Sequence, residues 1–437
     1  MEARTIRRSL VTVAVGLAMG SAGVAHATNG YFSHGYGTKA KGMGGVGMAI
    51  SQDSYAPGIN PAGLAGMETR IDGSIAYFRP ERSYTAGDIE GQPQEGDFPL
   101  FPGKVDSDSK NFFIPSFGFV QQIDQDRSWG IALLGHGGMN TDYPAFDNPM
   151  CPDGTLGTGP FCDGSAGVDL EQLAIIPTYA QKFADGRVSV GFSPVISYQR
   201  FSAEGIRTFG EMSTDPENMS SGDTDTTWGY GAQIGFQAEV ADGVSIGGSY
   251  RSKIRNEDFD DYAGLFAEGG SFDIPSTWGV GVAWEVTPTV TLVADYQRIN
   301  YSDVDAISNR SSNLFLEDGS GMFGGPNGAG FGWRDINVFK IGAQFEANND
   351  WTWRVGYNRG QNPIRSRDVT MNILAPGVME HHFTAGFSKE FGPHELNFAA
   401  MYAPSNDVSG ENMFFEGQEI EIEMKQYELE IGYAYRF

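Results

Sequence analysis

Along this chain, stretches of alternating apolar and polar residues are joined by connections that are short and long in strict turn. Side chains of a β-strand point to opposite faces in succession, so such alternation marks a strand with one apolar and one polar face. Trp351, Trp353, Val355 and Tyr357 interleave with Thr352, Arg354, Gly356 and Asn358. At the C-terminus, Tyr427, Leu429, Ile431, Tyr433, Tyr435 and Phe437 face one way, and Gln426, Glu428, Glu430, Gly432, Ala434 and Arg436 the other. Fourteen such segments are read, at 70–83, 110–123, 128–139, 168–183, 187–202, 226–240, 243–255, 272–286, 289–300, 334–347, 351–359, 379–391, 394–403 and 424–437. Their lengths suit tilted membrane strands of about 9–11 residues with overhang, where soluble strands more often run about five or six.

The connections fix the arrangement. Asp124-Gln125-Asp126-Arg127, Ala184-Asp185-Gly186, Ala241-Asp242-Gly243, Thr287-Pro288, Asn348-Asn349-Asp350 and Gly392-Pro393 have hairpin-turn chemistry, because Gly, Asn and Asp accept positive φ and Pro presets a turn. Between them lie seven long polar connections, 84–109, 140–167, 203–225, 256–271, 301–333, 360–378 and 404–423. A membrane barrel with short periplasmic turns and long outer loops produces this order. An even strand count places both ends on the periplasmic side, and the terminal strand ends on an aromatic, Phe437.

No later segment offers 18 uncharged apolar residues, so a spanning helix is not expected. Sixty Gly, 13% aromatics and a mean hydropathy of −0.30 fit a barrel wall, in which only every second residue must be apolar. Arg4, Arg7 and Arg8, the apolar run Leu10 to Met19 and Ala25-His26-Ala27 read as a secretory signal peptide ending at residue 27. Its loss removes three Arg and one Glu and takes the formal charge from −26 to −28. That acidity argues against nucleic-acid binding. It is compatible with an outer-membrane site, where divalent ions bridge carboxylates to anionic lipid.

The strands carry Trp129, Trp228, Trp278, Trp284, Trp351 and Trp353, mostly near their ends, as an interfacial belt requires. Alternation turns Glu239, Arg251, Asp295, Lys340, Arg354 and Glu430 inward, as lumenal ion pairs or as ligand contacts. Cys151 and Cys162 would close a ten-residue loop in an oxidising compartment, with two free thiols as the alternative. No His lies near them, and no metal site or cofactor is expected. His34, His136, His381, His382 and His394 offer no nucleophile–base pair, so an enzyme is not expected.

Residues 28–69 precede the first strand. Tyr31, Phe32, Tyr36, Met43, Val46, Met48, Ile50, Tyr55, Ile59 and Leu64 make the stretch too apolar for a solvated linker, and packing inside the barrel would satisfy it. Gly42-Met43-Gly44-Gly45-Val46-Gly47 spells G-x-G-x-x-G, but no strand precedes it and no βαβ unit follows, so a nucleotide site is rejected. The expected architecture is all-β: a 14-stranded antiparallel transmembrane β-barrel over 70–437, with an N-terminal lumenal plug over 28–69 and a signal peptide over 1–27.

The chain resembles the FadL/TodX family of outer-membrane transporters for long-chain fatty acids and other hydrophobic compounds. The resemblance rests on Asn29-Gly30-Tyr31-Phe32, on Lys41-Gly42-Met43-Gly44-Gly45-Val46-Gly47-Met48-Ala49 and, most specifically, on Asn60-Pro61-Ala62. Ser249-Tyr250-Arg251-Ser252-Lys253, Ile274-Pro275-Ser276-Thr277-Trp278 and Trp353-Arg354-Val355-Gly356-Tyr357 extend it over the mature chain. It implies a fourteen-stranded barrel with an N-terminal hatch, in accord with the strand count. It also implies an apolar groove between the third and fourth outer loops, a lumenal pocket beside the N-terminus, and a sideways exit where the third strand kinks inward. Mapped here, the groove draws on Ile206, Phe209 and Met212 with Phe259, Tyr262, Leu265 and Phe266, although loop self-packing explains these residues equally well. The kink falls near Gly135, Gly137 and Gly138, with Asn60-Pro61-Ala62 opposite it.

An apolar ligand gains about 0.8 kcal/mol per buried CH₂ on such a route. A fatty acid would also want a cation, and Arg251, Lys253, Lys340 and Arg354 are the inward candidates; the flanking sequence of the family's own cationic ligands is not recognisable here. The expectation is passive outer-membrane uptake by a monomer whose partners are a hydrophobic small molecule, outer-membrane lipid and lipopolysaccharide. Aromatic hydrocarbons or alkanes are the alternative substrates. A diffusion porin conflicts with the apolar stretch 28–66, and an adhesin role of the Asp-rich outer loops stays open.

Overall fold

The computed structural model describes residues 28–437 apart from Glu95 and Asp153, so the expected signal peptide lies outside the described residues. Fourteen long strands form one closed ring. In chain order they are β1 Arg70–Ala86, β2 Phe112–Gln122, β3 Arg127–Tyr143, β4 Ala166–Phe183, β5 Val188–Glu204, β6 Asp225–Ala241 and β7 Val244–Arg251. They continue as β8 Thr277–Thr287, β9 Val290–Ile299, β10 Ile336–Ala347, β11 Trp351–Gly360, β12 His381–Phe391, β13 His394–Glu411 and β14 Glu419–Arg436. Each pairs antiparallel with the next over at least part of its length, and β14 returns to β1 from Arg70↔Arg436 to Ala86↔Ile420, which closes the barrel.

The short turns use the residues that turns require. Ala184, Asp185 and Gly186 all have positive φ, as do Asn349 and Asp350, and Gly243 and Gly392 supply the same at their hairpins. The outer connections, L1 to L7, are 87–111, 144–165, 205–224, 252–276, 300–335, 361–380 and 412–418. L7 is much shorter than the alternation suggested. β13 and β14 stay paired out to Glu411↔Glu419, so most of 404–423 is strand rather than loop. The cause is continued alternation: Ile420, Ile422 and Met424 are buried on one face, while Glu419, Glu421 and Glu423 carry the other. L1 likewise contains a short strand, Gly103–Asp106, paired to the end of β1.

The outward face is apolar. Phe113, Phe192, Tyr230, Phe339, Ile341, Val355 and Ile431 are each at least half exposed. A water-facing surface rarely carries such a band, whereas a hydrocarbon surround requires it. No helix among the described residues is long and apolar enough to cross a membrane, so strands do the crossing. Of the inward charges read from the sequence, Arg251, Asp295, Lys340, Arg354 and Glu430 are buried, while Glu239 sits exposed near the periplasmic end of β6.

Much of the segment from Thr28 to Leu64 is buried against the strands. Backbone of the segment lies directly on wall glycines: a Cβ on Gly247 would come 1.9 Å from the Met48 carbonyl oxygen, and one on Gly356 would come 2.1 Å from the Met43 carbonyl carbon. A turn of helix, α1 at Thr38–Lys41, is tied to β13 and β14 by buried ion pairs. Lys39 Nζ lies 2.6 Å from Glu395 Oε1, and Lys41 Nζ lies 2.7 Å from both Glu428 Oε1 and Glu430 Oε2. Asn60 caps the 3₁₀ turn Pro61–Leu64 by accepting from Ala62 N at 3.0 Å, and its amide donates to the carbonyls of Met48 and Phe236.

Cys151 and Cys162 form a disulfide within L2. Closing a loop of about 15 residues is worth about 3 kcal/mol in the chain-entropy account, and here that constraint falls on L2 alone. Replacing both by Ser should leave barrel heat stability in detergent unchanged while opening 144–165 to limited proteolysis. An equal fall in barrel stability would refute this division.

Candidate functional site

Apolar side chains from six outer loops meet over the mouth of the barrel and leave a cavity of about 50 Å³. L2 contributes Phe161, L3 Ile206, Phe209 and Met219, L4 Leu265 and Phe266, L5 Phe323 and Phe331, L6 Met371 and Leu374, and L7 Phe414, with Phe201 of β5 below. Thr370 is the one lining residue with a polar side chain. Phe209, Leu265 and Phe266 therefore stand where an apolar ligand would meet them. Met212 packs half-buried behind them, and Phe259 is fully buried against Phe201 and Phe266 at 5.6 and 6.1 Å without lining the space. Tyr262 is buried as well. Its phenol, pushed up by burial, accepts from Ala203 N at 3.0 Å and donates to the Asp223 carbonyl at 2.5 Å. The L3 and L4 residues thus form part of the cavity wall, with Met212 and Leu265 only partly buried.

From this cavity a line of rings leads inward. Phe266 lies 4.8 Å from Phe272, Phe272 lies 6.4 Å from Tyr31, and Tyr31 stacks on Phe32 at 5.0 Å. Tyr301 and Trp333 of L5 flank Tyr31 at 5.5 and 6.0 Å. Tyr301 Oη donates to the Asn29 carbonyl at 2.5 Å, and burial holds its phenol neutral, well above the ordinary tyrosine range. The start of the N-terminal segment is therefore part of an aromatic cluster below the cavity.

Phe32 in turn meets the wall at a break in strand register. The register of β3 against β4 slips between Gly135 and Gly137, making His136 the extra residue of a bulge. The His136 ring packs edge-on to Phe32 at 5.0 Å, Gly138 N donates to the Tyr31 carbonyl at 3.1 Å, and Phe32 forms a bridge with Gly137. At the same height β3 parts from β2. Their pairing covers only Phe117↔Leu133 to Gln122↔Ser128, although β2 stays paired to β1 up to Phe112↔Phe78 and β3 to β4 up to Tyr143↔Ala166. Phe78, Phe112, Ile114, Leu134 and Met139, around this parting, belong to the apolar core. Asn60-Pro61-Ala62 does not face the bulge. It packs on β5 and β6, because Asn60 is held by the Phe236 carbonyl and a Cβ on Gly191 would strike Pro61 at 2.3 Å. The residues of the N-terminal segment that touch the bulge include Tyr31, Phe32 and Tyr36.

A second, polar pocket of about 20 Å³ lies beside this junction, lined by Phe32, Tyr36, Met48, Ile59, Arg251 and Lys340 among others. Arg251 Nε donates to Gln233 at 3.0 Å and its Nη2 to the Gly58 carbonyl at 2.8 Å, while Nη1 meets His136. Lys340 donates to the carbonyls of His34 and Gly45 at 3.0 and 3.2 Å. Arg354 is remote from the pocket, bonded to Gln344 and Ser388. Lys253 is held on Asp273 at 2.8 Å.

A closed fourteen-stranded antiparallel barrel, apolar toward lipid and with an apolar cavity under its outer loops, defines a bacterial outer-membrane channel protein. Residues 24–395 match the family described as outer membrane protein transport protein (OMPP1/FadL/TodX), and the chain belongs to that family. Transport of hydrophobic compounds across the outer membrane is accordingly its function. Solved structures share the fold at low identity. A Pseudomonas aeruginosa FadL homologue is 15% identical over 93% of this chain and 100% of its own, with a TM-score of 0.66. The Pseudomonas putida toluene transporter TodX is 16% identical over 94% and 100%, also with 0.66. The Ralstonia pickettii toluene transporter TbuX is 19% identical over 92% and 99%, with 0.61. Comparison with curated protein sequences returns no match.

Proposed function

We propose that this protein takes up long-chain fatty acids passively, with residues 28–69 acting as a hatch and with release sideways between β2 and β3. The observation that carries the fatty-acid reading is the pocket that sets Arg251 and Lys340 beside Phe32, Met48 and Ile59. Arg251 is buried and makes no ion pair among the described residues, its contacts including Gln233, His136, Tyr36 and the Gly58 carbonyl. A buried cation without a carboxylate is costly, and a ligand carboxylate would supply the missing charge while its chain lay along the aromatic line above. The parted strands support the release step, since an apolar molecule leaving there reaches lipid without crossing water.

A second reading, uptake of uncharged hydrocarbons, is favoured by the upper cavity, whose lining carries no charged side chain. Binding of a labelled C18 fatty acid to the purified barrel, competed by toluene and by an alkane, separates the two. On the fatty-acid reading Arg251→Gln weakens fatty-acid binding by about tenfold or more, the worth of one charge-assisted contact, and leaves toluene binding within about twofold. Equal loss for both ligands, or stronger competition by toluene than by unlabelled fatty acid, would transfer the assignment to hydrocarbons.

A further inference from the structure

Most apolar side chains of L3 and L4 are buried, with Met212 and Leu265 partly so, which directs the search for a first contact to the exposed apolar side chains of the outer loops. Among the described outer-loop residues, four large apolar side chains are exposed: Phe101, Leu156, Phe315 and Leu316. Phe101 rests on Phe146, which is not part of the cavity wall, and Leu156 lies in the disulfide-closed part of L2. Phe315 and Leu316 differ. The Phe315 ring, 56% exposed, stands edge-on to Phe414 at 6.3 Å. Phe414 lines the cavity and stacks on Phe209 at 5.1 Å. Solvent, L5, L7 and the cavity are thus joined by three successive rings.

Neither end of this path is a loose tip. The 3₁₀ turn Ser311–Phe315 is fixed by Ser311 N and Oγ donating to Asp368 Oδ1 at 3.1 and 2.7 Å. Its Leu314 points into the core, which leaves Phe315 and Leu316 on the outer side. Phe414 is held by its own N–H on Asn412 Oδ1 at 3.0 Å and by its carbonyl, which accepts from Phe98 N at 2.9 Å. Two large apolar side chains are therefore held in water by an ordered turn.

We propose that Phe315, Leu316 and Phe414 form the portal at which the hydrophobic substrate is first captured, on the L5–L7 side and not between L3 and L4. The portal takes the apolar chain or ring of the substrate, and rests on the reading of the protein as a transporter of hydrophobic compounds. Contact with Phe315 and Leu316 removes apolar surface from water on both partners, and transfer past Phe414 to Phe209 keeps the ligand on aromatic surface throughout.

The test is stopped-flow association of the fluorescent hydrophobic amine N-phenylnaphthylamine with the full chain, purified and held in amphipol. Phe315→Ser combined with Leu316→Ser should slow association about fivefold and dissociation equally, leaving Kd within about twofold, as loss of an access step and not of the internal site requires. Leu316→Arg alone should slow both rates in the same direction, and Phe101→Ser, exposed but off the path, should leave them as in the wild type. Both sites are exposed, and heat-modifiable migration checks that each variant is folded. Wild-type rates in the double variant, or equal slowing by Phe101→Ser, would overturn the portal and leave the transport reading standing. Failure of the wild type itself to associate with the probe would overturn both.

Discussion

Replacing Lys41 by Met should detach α1 from the wall, lower the thermal stability of the detergent-solubilised barrel and raise its single-channel conductance. Lys41 Nζ lies between Glu428 and Glu430, at 2.7 Å from each, and all three side chains are nearly inaccessible to water. Removing one partner of a buried ion pair leaves uncompensated charge in a medium that solvates it poorly, a loss of about 3–5 kcal/mol. Here two carboxylates would be stranded, and Thr38, which donates to Glu430 at 2.6 Å, would lose its register with them. Water entering to solvate the carboxylates has to pass where α1 now packs. Lys104→Met is the control: its pair with Glu423 is half exposed, and its loss should cost no more than about 1 kcal/mol. If Lys41→Met kept wild-type stability and conductance while Lys104→Met did the same, the ion triad would not be what holds the segment in place.

The barrel was legible because its rule is local. Alternation across Trp351–Asn358 or Tyr427–Phe437 needs only neighbours in sequence, and the turn residues at 184–186 and 348–350 state their own conformation. The same rule ran past the expected end of β13 and start of β14, where Ile420 and Ile422 continue the pattern into what reads as a loop. The cavity was only half legible. Phe209, Leu265 and Phe266 stood out, but Phe161, Phe323, Phe331, Met371 and Phe414 are scattered over four polar loops, and only the closed fold brings them together. The available signal was their presence in otherwise polar segments, and each alone is ordinary. Charges facing the lumen could be read from alternation, but not their partners. Lys41 finds Glu428 and Glu430 at the far end of the chain, and Arg251 donates to a carbonyl, that of Gly58, which leaves no trace in a side-chain pattern. Gly247 and Gly356 were likewise mute. Each reads as a gap in an inner face, and its meaning lies in the backbone of Met48 or Met43 that occupies the gap.

Gly137→Val should slow uptake of a hydrophobic substrate about tenfold without lowering the amount of protein in the outer membrane. A Cβ at Gly137 would meet Gln172 Oε1 at 2.8 Å and Tyr31 at 2.9 Å, through both its ring and its carbonyl oxygen. The carbonyl is already engaged by Gly138 N, so it cannot turn away without giving up that hydrogen bond. Overpacking of this kind costs about 1–3 kcal/mol, enough to displace Tyr31 and Phe32 from the bulge or to press β3 outward toward β2. In either case the aromatic line loses its junction with the parted strands, and an apolar molecule that reaches Phe32 has no continuous surface to follow into lipid. Gly73→Val separates this from a general penalty for bulk in the wall, since nothing lies within 4 Å of a Cβ there and its uptake should equal the wild type. Measured in cells with equal surface levels, wild-type uptake by Gly137→Val would remove the bulge from the route and leave release to the periplasm through the lumen as the remaining path.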